Sequence, residues 1–126
     1  MIYSKSSSRS PEEAAHRLAQ AAAKHKFGIL HVLDLKQTLD AKGIQLGADC
    51  SVYDLCNPHA AARALQADIR VATVLPCRIA ISSQPGGCSI STLKPTSLFH
   101  LTGLQGAETL AEDVERELLA IIDEAV

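Results

Sequence analysis

The chain has 126 residues and a mass of 13.4 kDa, with 47% hydrophobic and 21% charged residues, a formal net charge of −2 and a pI near 6.2. That is one domain, able to bury roughly two thirds of the surface its unfolded form exposes. The twelve Lys and Arg are scattered, and the only aromatics are Tyr3, Phe27, Tyr53 and Phe99, so the basic patch and stacking platform of a nucleic-acid binder are missing.

The amino terminus, Met1 to Ser8, has no apolar core of the kind a secretory signal needs, and no segment approaches the roughly 18 apolar residues that span a bilayer. The expectation is a cytoplasmic protein that makes no use of a membrane and keeps its thiols reduced. Residues 2 to 8 alternate loosely and read as an opening strand. Ser10 can cap a helix, Pro11 fits its first turn and Glu13 completes a capping box, so a helix is expected to about Lys26 with Ala15, Leu18 and Ala22 inward. Gly28 is expected to end it and release a strand over 29–33. Asp34 reads as the cap of a short helix with Leu35 and Leu39 inward, closed by Gly43.

Residues 51–56 read as a strand, after which Asn57 caps and Pro58 starts an alanine-rich helix over 58–67. Residues 71–75 are apolar and read as extended, and 77–83 as a strand. Gln84-Pro85-Gly86-Gly87 is a turn, and 88–93 return as its partner. Leu110, Val114, Leu118, Ile121, Ile122 and Ala125 recur at helical spacing and mark an amphipathic helix over about 107–125. The expected class is α+β: a single domain over residues 1–126, with a mixed or antiparallel sheet of about four to six strands packed by about four helices.

Four cysteines at spacings of six, 21 and 11 match no zinc-binding pattern, and no metal site is expected. A four-residue turn pairs residue 83 with 88, 81 with 90 and 79 with 92, which puts Cys77, Ile79, Ile81, Cys88 and Ile90 on the core face. Cys77 and Cys88 then lie about 20 Å apart along the hairpin, too far for a disulfide. Cys56 differs, because it precedes the cap of helix 58–67, where unpaired amides and the helix dipole favour a thiolate. The alternative is a small buried residue at a tight junction. No nucleophile elbow, phosphate loop or dinucleotide fingerprint occurs, so the sequence assigns no catalytic residue and no cofactor.

Cys56-Asn57-Pro58 followed by Ala61, Ala64 and Leu65, and then Leu75-Pro76-Cys77, resembles the domain of unknown function 302 family, whose pattern is C-N-P-x-x-A-x-x-A-L and then L-P-C before an apolar strand. Phe27-Gly28-Ile29-Leu30, Asp34 with Thr38-Leu39, and Ser91 to Pro95 extend the resemblance over nearly the whole chain. Where members often have glycine or alanine before the cysteine, this chain has the bulkier Asp54-Leu55. The resemblance implies a compact α+β domain, a sheet backed by helices, often paired as a homodimer. It implies no reaction.

Three functional readings remain open from the sequence. The first is a small ligand-binding domain whose site is formed by Cys56, Asn57, Pro58, His59, Pro76 and Cys77 at the head of helix 58–67, suited to a small-molecule, anionic or soft ligand. The second is an interaction module whose cysteines are core filler. The third is a thiol redox enzyme or sulfur carrier, with Cys56 as the attacking thiolate and Cys77 as the resolving thiol.

Overall fold

The structure, a computed structural model, describes residues 1–126. Five antiparallel strands form one sheet in the order β1-β5-β4-β3-β2: β1 (Ile2–Ser7), β2 (Gly28–Asp34), β3 (Cys50–Cys56), β4 (Cys77–Gln84) and β5 (Gly87–Leu93). Five α-helices accompany it: α1 (Pro11–Lys24), α2 (Leu35–Asp40), α3 (Pro58–Ala67), α4 (Pro95–Thr102) and α5 (Glu108–Ala125). The class is α+β, as expected.

The β4–β5 hairpin has the expected register, with Ser83 opposite Cys88, Ile81 opposite Ile90 and Ile79 opposite Thr92. Period-2 alternation therefore sends Ile79, Ile81, Cys88 and Ile90 to one face. There they meet Leu55 of β3, Ala14, Leu18, Ala21 and Ala22 of α1, and Leu118, Ile121, Ile122 and Ala125 of α5. The alternate positions Arg78, Ala80, Ser82, Ser89 and Ser91 are half-buried or exposed, and Ser4 Oγ lies 2.7 Å from Ser91 Oγ across the β1–β5 pair.

The caps read from the sequence are in place. Ser10 Oγ accepts from the Glu13 amide at 3.2 Å, Asp34 Oδ1 from Gln37 at 2.9 Å and Asn57 Oδ1 from Ala60 at 3.1 Å. Each satisfies an amide that the first helical turn would leave unpaired.

Three expectations are corrected. Residues Ile69–Val74 form a 3₁₀ helix rather than an extended segment; the Asp68 carboxylate accepts from the Arg70 amide at 2.9 Å and starts this turn, so a polar cap overrode the strand-like run of apolar residues. Helix α1 ends at Lys24, and Lys26, not Gly28, supplies the left-handed residue, with φ 65°. The Phe27 amide donates to the Ala22 carbonyl at 2.8 Å and the Lys26 amide to Ala23 at 3.0 Å, closing a Schellman motif. Helix α4 had no counterpart in the sequence reading, although Pro95 at its first position and Gly103 at φ 69° after its end are ordinary helix signals.

Where α1 ends against α5, the His25 ring sits between two carboxylates, Nδ1 meeting Glu117 and Nε2 meeting Glu124. Lys24 Nζ also reaches Glu124 at 2.9 Å. The hydrogen bonds to Glu124 and then Glu117 raise the His25 pKa above the ordinary 6.5. Lys24 and then His25 lower that of Glu124 below the usual 4.5. A raised folded pKa contributes stability that is complete below the unfolded value and lost as pH climbs through the folded one; a lowered carboxylate pKa is the mirror case. The clasp therefore contributes most between about pH 4.5 and 6.5. Melting temperatures of wild type and His25→Gln are expected to differ by a few degrees at pH 6 and to converge as pH rises above the raised His25 value. A difference that stays constant up to pH 9 would show that His25 packs there without titrating.

Candidate functional site

At the end of the sheet where β3 stops and β4 begins, the helices do not close over the strands. In β3 and β4, Leu55 lies directly opposite Cys77, and on the other side Gly28 of β2 lies opposite Cys56. The two cysteines thus come to neighbouring positions from opposite strand ends. Past Cys56 the chain turns at Asn57 into α3; before Cys77 it arrives from the 3₁₀ turn through Leu75 and Pro76, whose peptide bond is cis.

A cavity of about 360 Å³ opens here, lined by 22 residues of which 17 are hydrophobic. The sheet end supplies Leu55, Cys56, Cys77 and Arg78. Helix α3 contributes Ala60, Ala61 and Ala64, the 3₁₀ turn Val71 and Val74, α4 Leu98 and Phe99, and α5 Leu110, Ala111 and Val114. The space has a sequence origin. Ala60, Ala61 and Ala64 of α3 and Ala107 and Ala111 at the start of α5 all line it, and five alanines leave volume that leucines would have filled. Ala64, Val71, Phe99 and Ala107 form a second, smaller core cluster beside this space, separate from the main core.

Of the residues expected to form a site, Cys56, Asn57, Pro76 and Cys77 lie on the cavity wall. Pro58 and His59 do not: both are exposed on the first turn of α3 and point away from the lining. The lining also takes in Arg78, which directly follows the L-P-C element, and walls from α4 and α5, whose segments lie far from both elements in the chain.

All four cysteines are free thiols. Burial, and then the neighbouring Cys56, push the Cys77 thiol up to about 11, so at neutral pH it keeps its proton. Asn57 Oδ1 is occupied in capping α3, and Thr73 Oγ1 donates to the Arg70 carbonyl at 2.8 Å. No group of three His, Cys, Asp or Glu side chains converges to hold a metal ion, and no helix is long and apolar enough to cross a membrane. Arg78 is the one charged residue in the lining. Its Nε lies 3.3 Å from Asp54 Oδ1, and His31 Nδ1 lies 3.6 Å from the other carboxylate oxygen.

A single antiparallel sheet with α1 and α5 packed against its core face, and an apolar cavity at the strand ends, defines a small α+β domain. Residues 3–125 match the model of the family described as Domain of unknown function DUF302, and the chain belongs to that family. It is similar in structure to the uncharacterized conserved protein DUF302 from Bacillus stearothermophilus, with a TM-score of 0.94 and 27% identity over 99% of this chain and 98% of that one. No curated protein matches it.

Proposed function

We propose that this domain binds a small, largely apolar molecule in the cavity between the strand ends and helices α3, α4 and α5. One observation carries the reading: about 360 Å³ of space with 17 hydrophobic residues among its 22 lining residues. Such a cavity is in the size range of ligand sites, which are mostly apolar with few polar groups. Filling it removes apolar wall from water, at about 25 cal/mol for each Å² covered. At roughly 30 Å³ for each water-sized group, it has room for about a dozen heavy atoms.

In this reading the two thiols are part of the wall. A protonated cysteine behaves as a small apolar residue with a weak S–H donor. The Cys77 thiol, held near 11, is of that kind. The same fact weighs against the redox or sulfur-carrier alternative, because a resolving thiol attacks as the thiolate.

The test is a titration of isotope-labelled protein with probes of about a dozen heavy atoms, decanol and decanoate, followed by amide chemical shifts. Shifts are expected at Ala61, Ala64, Val71, Leu110 and Ala111. Ala111→Leu adds three carbons to the wall where space exists to receive them, so the fold should persist while affinity drops at least about tenfold, or 1.4 kcal/mol. Absence of saturable shifts at the lining with either probe would overturn the reading.

A further inference from the structure

Strand alternation decides which polar groups of the lining meet the cavity. In β4, Cys77 and Ile79 pack on the core side, and Arg78 between them projects to the other face, where its Nε lies 3.3 Å from Asp54 Oδ1. The one charged residue of the lining thus keeps its guanidinium away from the cavity, and no Asp, Glu, Lys or His belongs to the wall. A charged head drawn into this space would lose its water and find no counter-charge.

Asn57 stands differently. Its backbone is extended (φ −97°, ψ 109°), so the alternation of β3 runs on through it and sets its side chain on the side of Leu55, which lies opposite Cys77. Its Oδ1 accepts from the Ala60 amide at 3.1 Å, and Asn57, Ala60 and Cys77 all belong to the cavity wall. That bond fixes which end of the side-chain amide is oxygen, because only the oxygen can accept. The other end, Nδ2, carries two N–H donors, makes no hydrogen bond within the protein and is not sealed among its atoms. Thr73, the other hydroxyl or amide side chain of the wall, has already given its proton to the Arg70 carbonyl. The wall therefore offers a free donor, and it offers it without charge.

Resting on the cavity-binding reading above, we propose that the occupant is an uncharged carbonyl compound, a ketone or ester on an apolar body, and that Asn57 Nδ2 holds its oxygen. A carbonyl oxygen only accepts, so one N–H from Asn57 satisfies it and leaves no polar atom of the molecule without a partner. Its body lies along Ala61, Ala64, Val71 and Ala111 of the same wall. A carboxylate would exchange full hydration for one neutral amide. An ammonium head would set donors against donors.

The experiment compares methyl octyl ketone, decanoate and decylamine, probes of similar apolar body and different head charge, by amide shifts and calorimetry at neutral pH. The wild type is expected to bind the ketone at least about tenfold more tightly than either ion. Asn57→Asp and Asn57→Ser both keep an oxygen that caps α3 as well as asparagine does, and both remove the amide donors. In Asn57→Asp the ketone should weaken at least about tenfold, and decylamine should become the tightest of the three. In Asn57→Ser the ketone should weaken at least about threefold while decylamine binds as it does to the wild type. Equal affinity of the wild type for all three probes would overturn the neutral-carbonyl inference and leave the apolar site standing. An unchanged ranking of the probes in folded Asn57→Asp would overturn the role given to Asn57. Failure of every probe to shift the wall amides would remove the site itself.

Discussion

Gly87→Ala is expected to destabilise the domain by more than about 3 kcal/mol, at the upper end of what single substitutions do. Gly87 pairs with Gln84 to close the β4–β5 hairpin, and the end of β1 crosses directly over it. A Cβ at position 87 would lie 1.9 Å from the Ser7 carbonyl oxygen and 2.9 Å from both Ser7 C and Ser8 Cα. All three are backbone atoms, so no side-chain rotation relieves the overlap. Either the hairpin turn or the Ser7–Cys88 pairing must move, and Ser7 is buried while Cys88 belongs to the main core. Gly86 provides the control. Its φ is +83°, yet a Cβ there meets nothing within 4 Å, so Gly86→Ala should cost only the left-handed strain of about 1–2 kcal/mol. Urea denaturation of the two variants measures the difference. Equal costs would mean that the close passage of β1 over Gly87 does not constrain the fold.

That crossing illustrates what the sequence makes legible and what it leaves out. The Pro85-Gly86 turn and the alternation of Ile79, Ile81 and Ile90 fix the hairpin register, because both are local signals. Nothing local says that β1 returns to lie against β5, since that pairing joins residues more than eighty apart in the chain. The candidate site divides in the same way. Cys56, Asn57, Pro76 and Cys77 announce themselves by their positions at element ends, and all four reach the cavity wall. Pro58 and His59 adjoin these residues in the chain, but a helix turns each successive side chain by about 100°, and these two face solvent. Arg78 follows Cys77 directly, and strand alternation sends its side chain to the opposite face of the sheet, toward Asp54. Ala107 and Ala111 carry no local signal of a site; the folded chain brings them to the same cavity as the alanines of α3.

Leu118→Ala is expected to cost about 3 kcal/mol, within the 2–5 kcal/mol range for emptying a fully buried leucine site. Leu118 is 0% exposed and packs in the fourteen-residue core with Leu18, Ile79 and Ile121 around it. Helix α5 has two duties along its length. Its first half, through Leu110, Ala111 and Val114, walls the cavity, and its second half, through Leu118, Ile121, Ile122 and Ala125, anchors the helix to the sheet. Ala111 and Leu118 are separated by seven residues, roughly 10 Å along the helix, far enough for their effects to be nearly independent. Leu118→Ala should thus lower the denaturation midpoint and leave decanol affinity within about twofold, measured where the variant remains folded. Ala111→Leu should do the reverse, and the double variant should show both changes added within about 0.5 kcal/mol. Loss of decanol binding in folded Leu118→Ala would show instead that the cavity is held open by the core beneath it, so that anchor and wall form one cooperative unit.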